Sequence, residues 1–312
     1  MNNKIITILG SGFINRYCVR LLTRKNYRIF ISTRKPYNKG YLKTQATPGS
    51  IELLEWNPNN FSVLKEAIKN SDFVVNLIGI LYETRKQKFY NIHGKIPEAI
   101  AKICSKSNVK KFIHVSAIGA NENSKSLYQK SKRQGEINAL KNFDKTIIIR
   151  PSVVCGAEDN FTNLFSKLSM LPVIPIVGIN YKFQPILVSD VADAIVKAID
   201  IKNNEGKIYE LGGPKQISFG EMVKSILNKI NKKRFVIEMP MPIAKIQSSI
   251  TDFLPFPPIL TRDQCEILSE ADNIVSNEHL NIKDLNIKPA DVEEEMKKWL
   301  WRYKDGGQFA KA

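Results

Sequence analysis

Apolar residues along this chain fall into short dense runs, separated by stretches with helical spacing. "KIITIL" (4–9), "YRIFIST" (27–33), "SIELLEW" (50–56), "DFVVNLIG" (72–79), "KKFIHVS" (110–116) and "KTIIIR" (145–150) are rich in β-branched residues without clean alternation. Such runs read as strands buried on both faces. Between them, residues 12–25, 60–69, 89–107 and 127–141 carry amphipathic helical patterns. Strand and helix alternating at this spacing predict an α/β fold with a doubly wound parallel sheet, which takes ligands at the carboxyl ends of its strands.

After Pro151 the rhythm changes, and prolines from Pro172 to Pro258 punctuate shorter elements. This predicts a first domain over 1–150 and a smaller, irregular C-terminal domain over 151–312, with segment 183–200 returning to the main sheet. In that segment "FQPILVSDVADAIVKAI" reads as a strand followed by a helix capped by Ser189 or Asp190. "MPIAKIQSSITDFL" (241–254) reads as an amphipathic helix packed on the core.

Composition narrows the function classes. A chain of 312 residues with 43% hydrophobic content buries a large core. Its net charge of +17 favours an anionic partner, yet the lysines are scattered, with no stripe of basic and stacking residues, so a nucleic-acid site is not expected. Cys18, Cys104, Cys155 and Cys265 lie far apart, as do His93, His114 and His279. Neither a disulfide framework nor a metal site is predicted. A first strand starting at Lys4 leaves no room for a leader, and no apolar run approaches the ~18 residues of a membrane span. The expectation is a soluble or peripheral protein in a reducing compartment, cytoplasmic or already processed.

The turn after the first strand, "GSGFIN", reads G-x-G-x-x-N where a dinucleotide fingerprint has G-x-G-x-x-G. Gly10 and Gly12 keep the roles of tight turn and close pyrophosphate approach, with Ser11, Phe13 and Ile14 between and after them. Asn15 takes the position that lets helix and strand pack closely, so a slightly displaced helix is expected. Phosphate then sits on the amides at the helix amino end, and Arg16 adds a charge in the first turn. Residues 27–40 contain no acid to accept from an adenosine ribose; Thr33, Arg34 and Lys35 follow the second strand instead. A guanidinium there suits a ribose 2′-phosphate, which favours NADP(H) over NAD. Asn57, after the third strand, is a further candidate contact.

In "LYQKSKRQGE", Tyr128 and Lys132 lie four apart on a helix, so both share one face. An ammonium near a phenol favours phenolate and lowers its pKa from about 10 toward a useful range for proton transfer. Taken in order, the glycine turn, "NLIG", "YNIHG", Y-x-x-x-K and "RPSVVCG" resemble the extended or atypical short-chain dehydrogenase/reductase superfamily, with its Rossmann sheet, across nearly the whole chain. The resemblance implies that Asn76, Ile78 and Gly79 line the cofactor and Asn91 supports the lysine. Tyr128 would be the acid or base, Lys132 would hold the nicotinamide ribose, and Pro151 to Val153 would approach the nicotinamide. The superfamily's Ser or Thr beside the Tyr falls on Ala117 here, with Ser116 one residue early and on the other face of a strand; Ser116, reaching through the loop, is the candidate for that catalytic role beside Tyr128, Lys132 and Asn91.

Narrower blocks, "VVNLIGILYET", "KFIHVSAIGA", "RPSVVCGAEDNFTN", "FQPILVSDVADAI" and "LTRDQCEIL", resemble the nucleotide-binding accessory subunit family of respiratory complex I and its bacterial relatives. That resemblance implies NADPH held structurally, complex I subunits as partners and peripheral contact with the membrane. It places the protein on the cytoplasmic face of an inner membrane, or in the matrix if mitochondrial. The terminal "WLWRYKDGGQF" offers aromatic and arginine contacts for an interface or for its own domain. Two alternatives remain open: an NADP(H)-dependent reductase or nucleotide-sugar epimerase-like enzyme using Tyr128 and Lys132, and a redox sensor.

Overall fold

The computed structural model describes residues 4–57, 61–251 and 258–307. Six strands come from the first half: β1 (Ile5–Leu9), β2 (Arg28–Thr33), β3 (Ile51–Glu55), β4 (Phe73–Asn76), β5 (Lys111–Val115) and β6 (Thr146–Pro151). The second half adds β7 (Val154–Cys155), β8 (Val173–Ile176), β9 (Lys182–Phe183), β10 (Ile186–Leu187), β11 (Ile208–Leu211), β12 (Ile217–Ser218), β13 (Phe235–Glu238) and β14 (Leu280–Asn281). One eight-stranded parallel sheet runs in the order β14-β11-β6-β5-β4-β1-β2-β3. The strand order reverses between β1 and β4, and a crevice for ligand opens at such a switch point, beyond the carboxyl ends of the strands.

The helices that matter for the site are α1 (Phe13–Arg24), α2 (Ser62–Lys69), α3 (Ile96–Cys104), α4 (Leu127–Asn142), α5 (Phe161–Leu168), α6 (Val188–Asp200), α7 (Phe219–Lys229), α8 (Met241–Thr251) and α9 (Arg262–Ile267). Ile6, Ile8, Ile29, Ile31, Ile113 and Ile147, all fully or almost fully buried, form one core with α1 and α6. Leu9, Val74 and Phe112 form another with α2 and α3 on the opposite face. β-branched runs without alternation are what a sheet covered on both sides requires.

The strand of segment 183–200 does not join the main sheet: β10 pairs with β7 outside it, while Val191 and Ile195 of α6 pack beneath the sheet. The strands that rejoin the sheet are β11, beside β6, and β14. Neither Ser189 nor Asp190 caps α6; its N-cap is Leu187, and Asp190 accepts from the Ala290 amide at 2.9 Å. A third core joins α5 and α7 to β8 and to Trp299 and Leu300. Trp299 is buried and donates to Thr162 Oγ1 at 3.1 Å, so the first tryptophan of the tail belongs to its own lobe. Of helix α8, Ala244 is buried, but Ile243 and Ile246 are exposed, which departs from the expected core packing. Residues 252–254 of that stretch lie outside the described residues. Among the described residues no helix is long and apolar enough to cross a membrane.

Candidate functional site

The glycine turn has the shape of a phosphate cradle. Gly10 adopts φ +98°, and a Cβ there would meet the backbone of Leu77 and Ile78 at 3.3 Å, so glycine is required. A Cβ on Gly12 would meet nothing within 4 Å. Gly12 is also the N-cap of α1 and brings no side-chain cap, which leaves the first helical amides open to an anion. Ser11 Oγ donates to Thr33 Oγ1 at 2.7 Å and ties the turn to the end of β2. Arg34 and Lys35 are exposed just beyond, where the sequence places them for a 2′-phosphate, and neither side chain has an ion-pair partner among the described residues. Asn57 is exposed at the end of the neighbouring strand.

Two positions of the turn depart from expectation. Arg16 pairs with Glu158 at 2.7 Å, an acceptor shared with the Tyr17 hydroxyl at 3.0 Å, so its charge is already matched. Asn15 is fully buried, and among the described residues neither its amide nitrogen nor its amide oxygen has a partner. An unsatisfied buried polar group costs about 1–3 kcal/mol, so replacing the third glycine strains stability at a position inside α1.

Across the switch point, Asn76 is buried and turned inward. Its oxygen accepts from the Ile78 amide at 3.1 Å and its nitrogen meets His114 Nδ1 at 3.1 Å, so its side chain shapes the loop and does not project into the crevice. Ile78 packs by its backbone against the glycine turn, and exposed Gly79 approaches Lys132: a Cβ on it would lie 3.4 Å from the ammonium.

α4 brings Tyr128 and Lys132 to this point. Its rotation is fixed one turn later by Glu136, which receives both Nε and Nη2 of buried Arg150 on β6 at 2.8 and 2.6 Å. Arg150 also reaches Glu210 on β11 at 3.2 Å. Lys132 is therefore driven inward, where it donates to the Val115 carbonyl at 3.4 Å. Burial pulls its pKa down to about 8 against the partial support of Glu136. Tyr128 moves the other way: burial, then the charge of Asp263, push its phenol up to about 12. Lys132 does not set the direction of this shift: its ammonium sits 5.8 Å from the phenol ring's centroid, and burial with the charge of Asp263 raises the phenol.

Asn91 is exposed and does not support Lys132. The reason is a π turn over Tyr90–Lys95, which inserts one residue into the helix and rotates the inward face onto His93. His93 is buried, accepts from the Ile80 amide through Nε2 at 3.0 Å, and therefore donates from Nδ1 to Ser131 Oγ at 2.9 Å. Ser131 Oγ in turn donates a hydrogen bond to the Tyr128 carbonyl at 2.7 Å. Burial first, then Lys132 and His114, push the His93 pKa down to about 2, so it stays neutral. His114, likewise buried beside Lys132, falls to about 3.

The serine position is also changed. Ser116 is buried and its hydroxyl has no partner among the described residues, so it makes no bond to Tyr128, while Ala117 is half-buried in the loop beyond β5. Pro151 and Val153 present backbone: their carbonyls accept from Ile118 and Ile186. The sequence reading missed His93, Ser131 and Asp263. Only His93 had a local signal, in "YNIHG", and a 3.6-residue period points that motif at the wrong residue.

The sequence pattern of the NAD dependent epimerase/dehydratase family matches residues 6–212. Among curated proteins, NADH dehydrogenase (ubiquinone) 1 alpha subcomplex subunit 9 of Mus musculus is 30% identical over 93% of this chain and 78% of its own length. The 40 kDa NADH-ubiquinone oxidoreductase subunit of Neurospora crassa is 30% identical over 97% of this chain and 80% of its own. Among solved structures, an NADPH-dependent quinone oxidoreductase from Escherichia coli superposes with TM-score 0.74 at 15% identity, covering 95% of this chain and 99% of that one. A UDP-glucuronic acid 4-epimerase from Bacillus cereus in complex with NAD gives 0.64 at 16% identity, covering 84% and 96%. At these identities the two structures show the shared fold alone.

Proposed function

Because the chain belongs to the NAD dependent epimerase/dehydratase family, in the group that contains these NADH dehydrogenase subunits, we infer that it is an NADP(H)-binding component of a respiratory NADH:quinone oxidoreductase that holds its nucleotide structurally. A contrast within one site carries the reading. On the binding side, Gly10 has φ +98° and no room for a Cβ, Gly12 faces open space, and the amino end of α1 has no side-chain cap, features that support a phosphate cradle. The acid–base set beside it is incomplete, since the Tyr128 phenol is pushed up to about 12 and the Ser116 hydroxyl is buried without a bond to it.

The amides at the start of α1 would take the pyrophosphate, Arg34 and Lys35 the 2′-phosphate, and Lys132 with Tyr128 the hydroxyls of the far ribose. When bound, NADP(H) supplies a nicotinamide able to exchange hydride. A docking surface for the larger assembly is offered by the β8–β13 ribbon, where Phe235 pairs with Val173 and is 75% exposed while Ile237 is 50% exposed. Apolar side chains paired on an open face suit burial against a partner.

The test is native size separation of gently solubilised membranes, following this chain, NADH:quinone oxidoreductase activity and extractable nucleotide. Co-migration that survives a salt wash, with NADPH recovered from the same fraction, is expected. Phe235→Ser with Ile237→Ser should release the chain from that fraction while its nucleotide stays bound. A free monomer that reduces carbonyl substrates with NADPH would overturn the reading in favour of an active enzyme.

A further inference from the structure

The first turn of α4, which carries Tyr128, is held by two carboxylates from the C-terminal half. Asp263, in α9, accepts from Ser126 Oγ at 2.7 Å, from the Leu127 amide at 2.6 Å and from the Tyr128 amide at 3.2 Å. Glu270 accepts from Ser124 Oγ at 2.7 Å and from the Lys125 amide. α9 is itself fixed by a capping box between Thr261 and Gln264. Two turns of chain more than a hundred residues away in sequence thus grip the start of the helix.

We propose that Asp263 is a positioning residue for Tyr128: its carboxylate fixes the first turn of α4 and cancels the positive end of that helix beneath the phenol. The amino end of a helix carries about half a positive charge, which by itself favours phenolate. A full negative charge bonded to the amides of residues 127 and 128 reverses that field. The raised phenol agrees, with Asp263 as the charged group that contributes after burial. The other groups facing Tyr128 do not supply the effect. His93, 5.4 Å away on the π turn, is neutral; Phe89 is apolar; Lys132, on α4 itself, acts in the opposite direction. Glu270 grips one step further back, at residues 124 and 125. The consequence is that Tyr128 remains a proton donor toward whatever occupies the crevice, and it is this consequence alone that rests on the nucleotide reading.

The experiment follows the Tyr128 ring by NMR in the full chain labelled at tyrosine Cζ, without nucleotide, the resonance being identified by its loss in Tyr128→Phe. In the wild-type protein the resonance should not titrate up to pH 11; titration near pH 10 overturns the proposal whether or not any variant folds. In Asp263→Asn, which keeps the shape of the side chain, the midpoint should fall by about one pH unit or more. In Glu270→Gln, which loosens the same turn without touching Asp263, it should stay in place. An unmoved midpoint in Asp263→Asn, or an equal shift in both variants, means that the clamp is only mechanical. A failure of NADPH to bind would leave these titrations unaffected, so the two readings fail separately.

Discussion

Lys132→Met should make the nucleotide-free protein more stable near neutral pH while weakening its hold on NADPH. Lys132 is buried, with a folded-state pKa drawn from 10.5 down to about 8. At 1.36 kcal/mol per pH unit this corresponds to a penalty of about 3 kcal/mol for keeping the ammonium charged inside the fold. Methionine fills most of the stem's volume but loses the bond to the Val115 carbonyl, worth roughly 1 kcal/mol, which leaves a net gain of about 2 kcal/mol. The dependence on pH has a definite sign. Below pH 8 both folded and unfolded lysine are protonated, and the penalty is present in full. Between about 8 and 10.5 the unfolded chain holds a proton that the folded one has released, so wild-type stability rises with pH relative to the variant and the gap closes. Urea denaturation of both proteins at half-unit steps from pH 7 to 10, read as midpoints at constant slope, measures it. A variant less stable than wild type at pH 7, with a gap that does not change with pH, would refute the reasoning.

Other consequences follow from the same geometry. Asn15→Ala removes two buried amide atoms that have no partner among the described residues and should stabilise the chain by about 1–3 kcal/mol in the same urea assay; a loss of stability would mean that the amide is satisfied in solution. Arg34→Ser should raise the NADPH dissociation constant by roughly tenfold or more and leave NADH binding unchanged, as calorimetry would show, because a charge-assisted bond to the 2′-phosphate is worth about 1.5–3 kcal/mol. Trp299→Ala should cost about 3–5 kcal/mol, because this side chain is buried in the third core and bonded to Thr162. Trp301→Ala, at a 42% exposed position, should cost well under 1 kcal/mol in thermal melts, and the reverse order would misplace the tail.

How much of this was legible in the sequence depended on how local the determinant is. The six strands of the first half lie within a residue or two of their expected bounds, except that the "DFVVNLIG" run is strand only through Asn76. Buried parallel strands advertise themselves by unbroken β-branched runs. The two-residue elements β9, β10, β12 and β14 carry no period of their own and are defined only by what they pair with. Gly10 was readable because a turn with positive φ constrains one residue at one place. His93 was not: the expectation fell on Asn91, two residues away, because a single inserted residue in the π turn changes which side chain faces Lys132. Asp263 lies 135 positions from Tyr128, and a carboxylate that serves a helix other than its own leaves no trace in either local pattern.

The ionisation order of the two residues on α4 bears most directly on what the site does. Proton exchange at neutral pH asks for a phenol whose pKa approaches the ambient pH, with the ammonium remaining charged to hold it there. The structure has the phenol at about 12 and the ammonium at about 8, so the lysine gives up its proton long before the tyrosine does. At neutral pH the Tyr128 phenol therefore keeps its proton and offers a donor, not a base. The same two groups are well suited to a different task. A protonated phenol and a charged ammonium on one helix face are both donors, and paired donors grip the oxygen atoms of a sugar without taking part in its chemistry. With the Ser116 hydroxyl buried and His93 held neutral, these features support the proposed role of Tyr128 and Lys132 in holding a ligand.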